Sequence, residues 1–156
     1  MKFLFKERLS LRNQYDIYNE EGKVAFFAKA ELPPSPITRI YDGQGREIGV
    51  IKHKMFHWPS TYEMYVGGQY VGCIKKDPGA IQGRFDVDGK GWRVEGKPLA
   101  FEYTVFNPIG DVVATISKEL FKTTDTYWIN VKNPDDALYA VMVVLTIDDI
   151  KAMRMD

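Results

Sequence analysis

Two histidines and one cysteine are all that the 156-residue sequence offers to imidazole or thiol chemistry. His53 and His57 stand four apart, a spacing that would align two metal ligands on a helix. Pro59 and the surrounding alternation make this segment extended instead, and the two rings then lie about 13 Å apart. They read as packing or surface histidines, and no metal site is expected. Asp86-Val87-Asp88-Gly89 begins like a calcium loop, but Lys97 stands where the closing glutamate would be needed. Gly43 to Gly49 misses the dinucleotide-binding spacing and opens a strand, so no helix terminus follows to hold a phosphate. Cys73 falls in an apolar strand with no base near it in sequence and reads as an inert buried thiol. A Ser or Cys triad would have few bases to draw on. The expectation is no catalytic set and no cofactor.

Lysines form the one recurring chemical pattern. Lys29, Lys52 and Lys75 each follow a turn glycine by seven residues, and Lys118 falls one place later in the last unit. Residues 46–76 also carry Arg46, Lys52, Lys54, Lys75 and Lys76 against Glu47 and Glu63. Such a row is either a solvated rim that keeps a β surface soluble or a patch for anions and phospholipid head groups.

The element that must position these lysines is a repeated hairpin. Gly22, Gly45, Gly68 and Gly91 are spaced 23 residues apart, and Gly110 opens a fifth unit. Asn19, Asp42, Asp88 and Asn107 precede four of them by three positions, the arrangement of a type I turn. Tyr65-Val66-Gly67-Gly68 departs from it and suggests a tighter glycine turn. β-branched and aromatic runs flank every turn, which predicts five hairpins. Strands at residues 3–5 and 126–131 bring the predicted total to twelve. Pro33-Pro34-Ser35-Pro36 reads as a connection, since the repeat continues across it. Strand alternation places the small and aliphatic positions, among them Gly49, Gly72, Ile51 and Ile74, on the inner face and the lysines outside near one rim.

After residue 132 the pattern changes. Asn133 is a helix cap, Pro134 suits the first helical position, and Asp135 and Asp136 oppose the helix dipole. The run Ala137 to Ile147 has no polar face, so a helix there must be enclosed, and it is too short to cross a bilayer. Twelve strands leave a lumen that one helix can fill. The fold class predicted is therefore mainly β: a closed twelve-stranded antiparallel β-barrel enclosing a C-terminal apolar α-helix, one domain over residues 1–156. Asp135-Asp136 and Asp148-Asp149 are expected to emerge at the two mouths.

Tyr-Asn-Glu-Glu-Gly at 18–22, Tyr-Asp-Gly-Gln-Gly-Arg-Glu-Ile-Gly at 41–49, Phe-Asn-Pro-Ile-Gly at 106–110 and Tyr-Trp-Ile-Asn-Val at 127–131 resemble the LURP-one-related proteins. These share the tubby C-terminal-like fold and are distantly related to phospholipid scramblases. The resemblance covers nearly the whole chain and implies the barrel around a helix, but no reaction. Tubby proteins bind phosphoinositide head groups, although no matching residue set is found here, and the cysteine cluster and proline-rich N-terminus of scramblases are missing.

Equal numbers of basic and acidic residues argue against a nucleic-acid binder. The apolar start, Met1 to Phe5, is interrupted by Lys6, Glu7 and Arg8 before it reaches signal-peptide length. The lone cysteine fits a reducing compartment. The functional reading is a non-enzymatic cytoplasmic binding or scaffold domain, peripheral to a membrane where its partner is a lipid. Its partner would be an anionic phospholipid surface, through Lys29, Lys52, Lys75 and Lys118, or a protein. An enzyme using a rim pocket and a structural protein acting by self-association are the alternatives.

Overall fold

Short strands joined by glycine turns leave unpaired edges unless the sheet closes, and closure is what the computed structural model shows. It describes residues 1–9, 13–32, 35–79, 83–97, 101–120 and 122–154, with side chains to residue 151. Pro33 and Pro34 of the expected connection lie outside the described residues. Twelve antiparallel strands run β1 (Lys2–Glu7), β2 (Gln14–Tyr18), β3 (Val24–Ala30), β4 (Ile37–Asp42), β5 (Glu47–His53) and β6 (Thr61–Val66). They continue as β7 (Gln69–Lys76), β8 (Arg84–Asp88), β9 (Trp92–Lys97), β10 (Glu102–Phe106), β11 (Val112–Lys118) and β12 (Thr126–Val131). Each strand pairs with its neighbour in sequence, and β12 returns to β1, so the barrel has no free edge.

The turns form by the chemistry their residues dictate. The Asn19 side-chain oxygen accepts from the amides of Glu21 and Lys23, Asp42 from those of Gln44 and Arg46, and Asn107 from those of Ile109 and Asp111. In the third hairpin Gly67 and Gly68 alone link the strands, both with positive φ, as a two-residue turn of this hand requires. Asp88 departs from the expected Asx role, because its carboxylate turns to the Cys73 thiol and the Lys75 ammonium.

Asn133 caps the C-terminal segment by accepting from the Asp135 amide, and a 3-10 turn at Pro134–Asp136 leads into α1 (Ala137–Arg154). Ala140, Val141, Met142, Val143 and Val144 are all at most 1% exposed. Five consecutive residues point in every direction around a helix, so α1 is surrounded on all sides. Enclosure overrides the mediocre helix propensity of its valines. At 18 residues, about 27 Å, α1 runs further than the apolar stretch alone predicts. No described helix is long and apolar enough to cross a membrane.

Ala28, Ile51, Ile74 and Ile116 meet α1 from inside the barrel, as alternation requires. The two small positions on that face diverge. A Cβ at Gly49 would lie 2.8 Å from Met142 Cε, so Gly49 makes room for the helix. A Cβ at Gly72 would lie 1.9 Å from the Asp88 carbonyl oxygen, so Gly72 makes room for the backbone of β8. The sequence reading of Gly72 as a helix-facing position is corrected accordingly.

Candidate functional site at the helix C-terminal mouth

Antiparallel order sends β3, β5, β7 and β11 in one direction, and the four expected lysines all fall near the ends of these strands. The barrel thus gathers Lys29, Lys52, Lys75 and Lys118 at one mouth, the one that receives the C-terminal end of α1. It divides them by face. Lys29 and Lys52 are exposed on the outer wall and hold no ion pair among the described residues, although Glu63 lies opposite Lys52 in the ladder. Lys75 is also on the outer wall, 3.4 Å from Asp88. Lys118 pairs across the ladder with Tyr127, whose side chain is fully buried, and residues so paired share a face. Its ammonium lies 5.7 Å from the Tyr127 ring and 3.2 Å from Asp125, turned into the mouth.

Beneath this rim sits a polar cluster that sequence reasoning missed. Asp148 does not emerge as expected; it is 3% exposed, while Asp149 reaches the surface. Asp148 accepts from the hydroxyls of Tyr127 at 3.0 Å and Tyr15 at 3.3 Å. Glu7, Asp125 and Asp148 bring carboxylate oxygens within 4.8 Å of one another. Burial, followed by the hydrogen bond and the charge of Asp125, pushes the Asp148 carboxyl up to about 8. Asp125, beside it, is paired with the Lys118 ammonium at 3.2 Å. Tyr15 and Tyr127 are driven far above the ordinary phenol range, first by burial and then by Asp148, so both remain hydrogen-bond donors. The Lys151 ammonium, buried without a hydrogen-bond partner among the described residues, rests 4.8 Å from the Phe101 ring and 5.2 Å from that of Tyr103. A cation over ring faces retains part of the stabilisation that water would give it.

A second polar group lines a pocket of about 350 Å³ beside the cluster. His53, at the end of β5, stacks on Tyr62 with centroids 4.3 Å apart, and Tyr62 donates its hydroxyl to Asp149. His53 is thus a packing histidine, and His57 lies in the β5–β6 loop with Nδ1 3.4 Å from the Thr61 hydroxyl. Desolvation raises the Tyr62 phenol well beyond its usual range, with Asp149 adding to it. Like Tyr15, it lines the pocket as a proton donor and not as a base. Cys73 is buried, and burial pushes its thiol upward, as an inert thiol requires. The polar mouth was hidden from sequence because its members come from β1, β2, β12 and α1. The one local signal was a pair of aspartates ending an apolar run.

Comparison with known proteins agrees with this architecture. The sequence matches the LURP-one-related family over residues 1–148. It is similar in fold to an Arabidopsis thaliana protein solved by X-ray crystallography, with a TM-score of 0.69 at 19% identity, over 96% of this chain and 91% of that one. No curated protein matches it.

Proposed function

The chain belongs to the LURP-one-related family, and from that premise we propose that it is a non-enzymatic binding or scaffold domain of the cytoplasm that meets anionic phospholipid head groups with its lysine-bearing mouth. The observation that supports this reading is the convergence of Lys29, Lys52 and Lys75 on the outer wall of one end of a closed barrel. Lys29 and Lys52 are available to a ligand, Lys75 must share itself with Asp88, and Lys118 serves mainly to order the cluster around Asp125. Each lysine near an anionic surface contributes about 1 kcal/mol, so three together raise affinity roughly a hundredfold. The pocket beside Tyr62 is the feature an enzyme would use, but its phenols are held protonated and offer donors for binding rather than a base.

Sedimentation with vesicles of phosphatidylcholine, with and without phosphatidylserine, tests the proposal. The wild-type protein is expected to pellet with the anionic vesicles at low salt, less so at physiological salt, and the K29Q/K52Q/K75Q variant to stay in solution. If neither protein pellets, or both do equally, the lysines are solvated rim charges and a protein partner becomes the better reading.

A further inference from the structure

We infer that the β5–β6 loop, residues 54–60, is the tip by which this mouth enters an anionic bilayer, with Phe56 and Trp58 in the interfacial layer and Lys52 and Lys54 against head-group phosphates. The inference rests on the lipid-binding reading above and adds the segment that penetrates. Phe56 is wholly exposed, Trp58 is 80% exposed and Met55 is 50% exposed. Large apolar side chains displayed together on a loop tip, of which only Met55 reaches back to the pocket beside Tyr62, need a partner of low polarity.

The loop is built to hold them outward. The His53 amide bonds to the Pro36 carbonyl and the Lys54 amide to the Thr61 carbonyl, closing its base. The Thr61 hydroxyl donates to the Pro59 carbonyl at 2.8 Å, bracing its far side. Leu32 on the adjoining β3–β4 loop and Leu9 on the β1–β2 loop are also exposed at this mouth. The turns at the opposite mouth display Glu20, Glu21 and Asp111 beside Lys23 and Arg46, with Ile109 an exposed apolar side chain but no exposed tryptophan or phenylalanine among them.

Charge decides the occupant. Between Lys52 and Ser60 there are two lysines, two histidines and no carboxylate. Aromatic rings that favour the boundary between water and hydrocarbon therefore sit among cations that favour phosphate, which is the composition of an interfacial anchor. Phe56, Trp58 and Met55 expose roughly 500 Å² between them, short of the roughly 800 Å² per partner of a standard protein interface. A membrane surface needs no such area, because insertion adds to the attraction of the lysines.

The emission that wild type has and W58F lacks reads penetration by Trp58, since Trp92 and Trp128 emit in both proteins. The full-length protein is mixed with phosphatidylserine-containing vesicles whose acyl chains carry bromine, and wild type, W58F and F56S/W58S are compared. Wild-type emission should shift to the blue and be quenched. W58F should lose that quenching while still pelleting. F56S/W58S should bind about tenfold more weakly or worse and be released at physiological salt, with an unchanged melting temperature because both side chains are exposed. If the wild type pellets with anionic vesicles but Trp58 is not quenched and F56S/W58S pellets equally, the lipid reading stands and the insertion is wrong. If the wild type pellets with none, both fall. A concentration-dependent dimer that F56S/W58S abolishes would assign the loop to self-association and overturn the inference.

Discussion

Replacing Asp148 with Asn should remove most of the pH dependence of stability between about pH 4 and pH 8. In the folded protein this carboxyl titrates near 8, whereas in the unfolded chain it titrates near 3.9. The folded state therefore keeps a proton that the unfolded chain has already released. That contribution to stability is fully present below about pH 4 and is lost as pH rises towards 8, at up to about 1.4 kcal/mol per pH unit. From pH 4 to pH 7 the loss reaches on the order of 4 kcal/mol at most, since Asp148 stands within 4.8 Å of the Glu7 and Asp125 carboxylates and does not titrate in isolation. An Asn amide keeps the neutral charge of the protonated acid, with its oxygen accepting from Tyr127 and its NH2 in the place of the second carboxyl oxygen, which faces Tyr15. Asp148→Asn should thus match or exceed wild type at pH 8 and change little between pH 5 and pH 8. Urea melts at intervals of one pH unit measure both curves, and their difference isolates the contribution of residue 148. A wild type that gains stability from pH 5 to pH 8, or a variant with the same slope, would refute the reasoning.

Val144→Asp should prevent stable folding, since it places an unpaired carboxylate at a fully buried position of α1; a soluble variant with the wild-type melting temperature would exclude an enclosed helix. Gly49→Val should cost about 1–3 kcal/mol, towards the low end because the atom it meets is the mobile tip of Met142. Gly72→Ala, though the smaller change, should cost more, as its Cβ meets the fixed backbone of Asp88 at a φ of +144°. Thermal melts rank the two, and a silent Gly72→Ala would show that β7 and β8 do not approach as described.

The architecture was legible because its signals are local and repeated. A turn glycine every 23 residues with Asn or Asp three places earlier marks the hairpins, and an apolar run without a polar face demands enclosure. What was not legible depends on neighbours far apart in sequence. Gly49 and Gly72 hold the same place in their hairpins, yet one faces Met142 and the other the backbone of Asp88, because β8 passes close against β7 at that point. Asp148 and Asp149 are adjacent and identical, but the helix turns the first to Tyr127 and the second to Tyr62. Lys118 follows its lysine relatives by a single residue, and that one step in a strand moves it to the inner face. The aromatic loop escaped notice since exposure of Phe56 and Trp58 is set by the absence of anything above them, which no local pattern encodes.

Hydrogen–deuterium exchange with and without phosphatidylserine vesicles at low salt tests the central claim most directly, because it reports which end of the barrel meets the lipid. Binding through the lysine-bearing mouth predicts slower exchange in residues 52–60 and around Lys29, with the turns at Gly22, Gly45 and Gly68 unchanged. Protection of those turns instead, or bound protein with no change in residues 52–60, would contradict it.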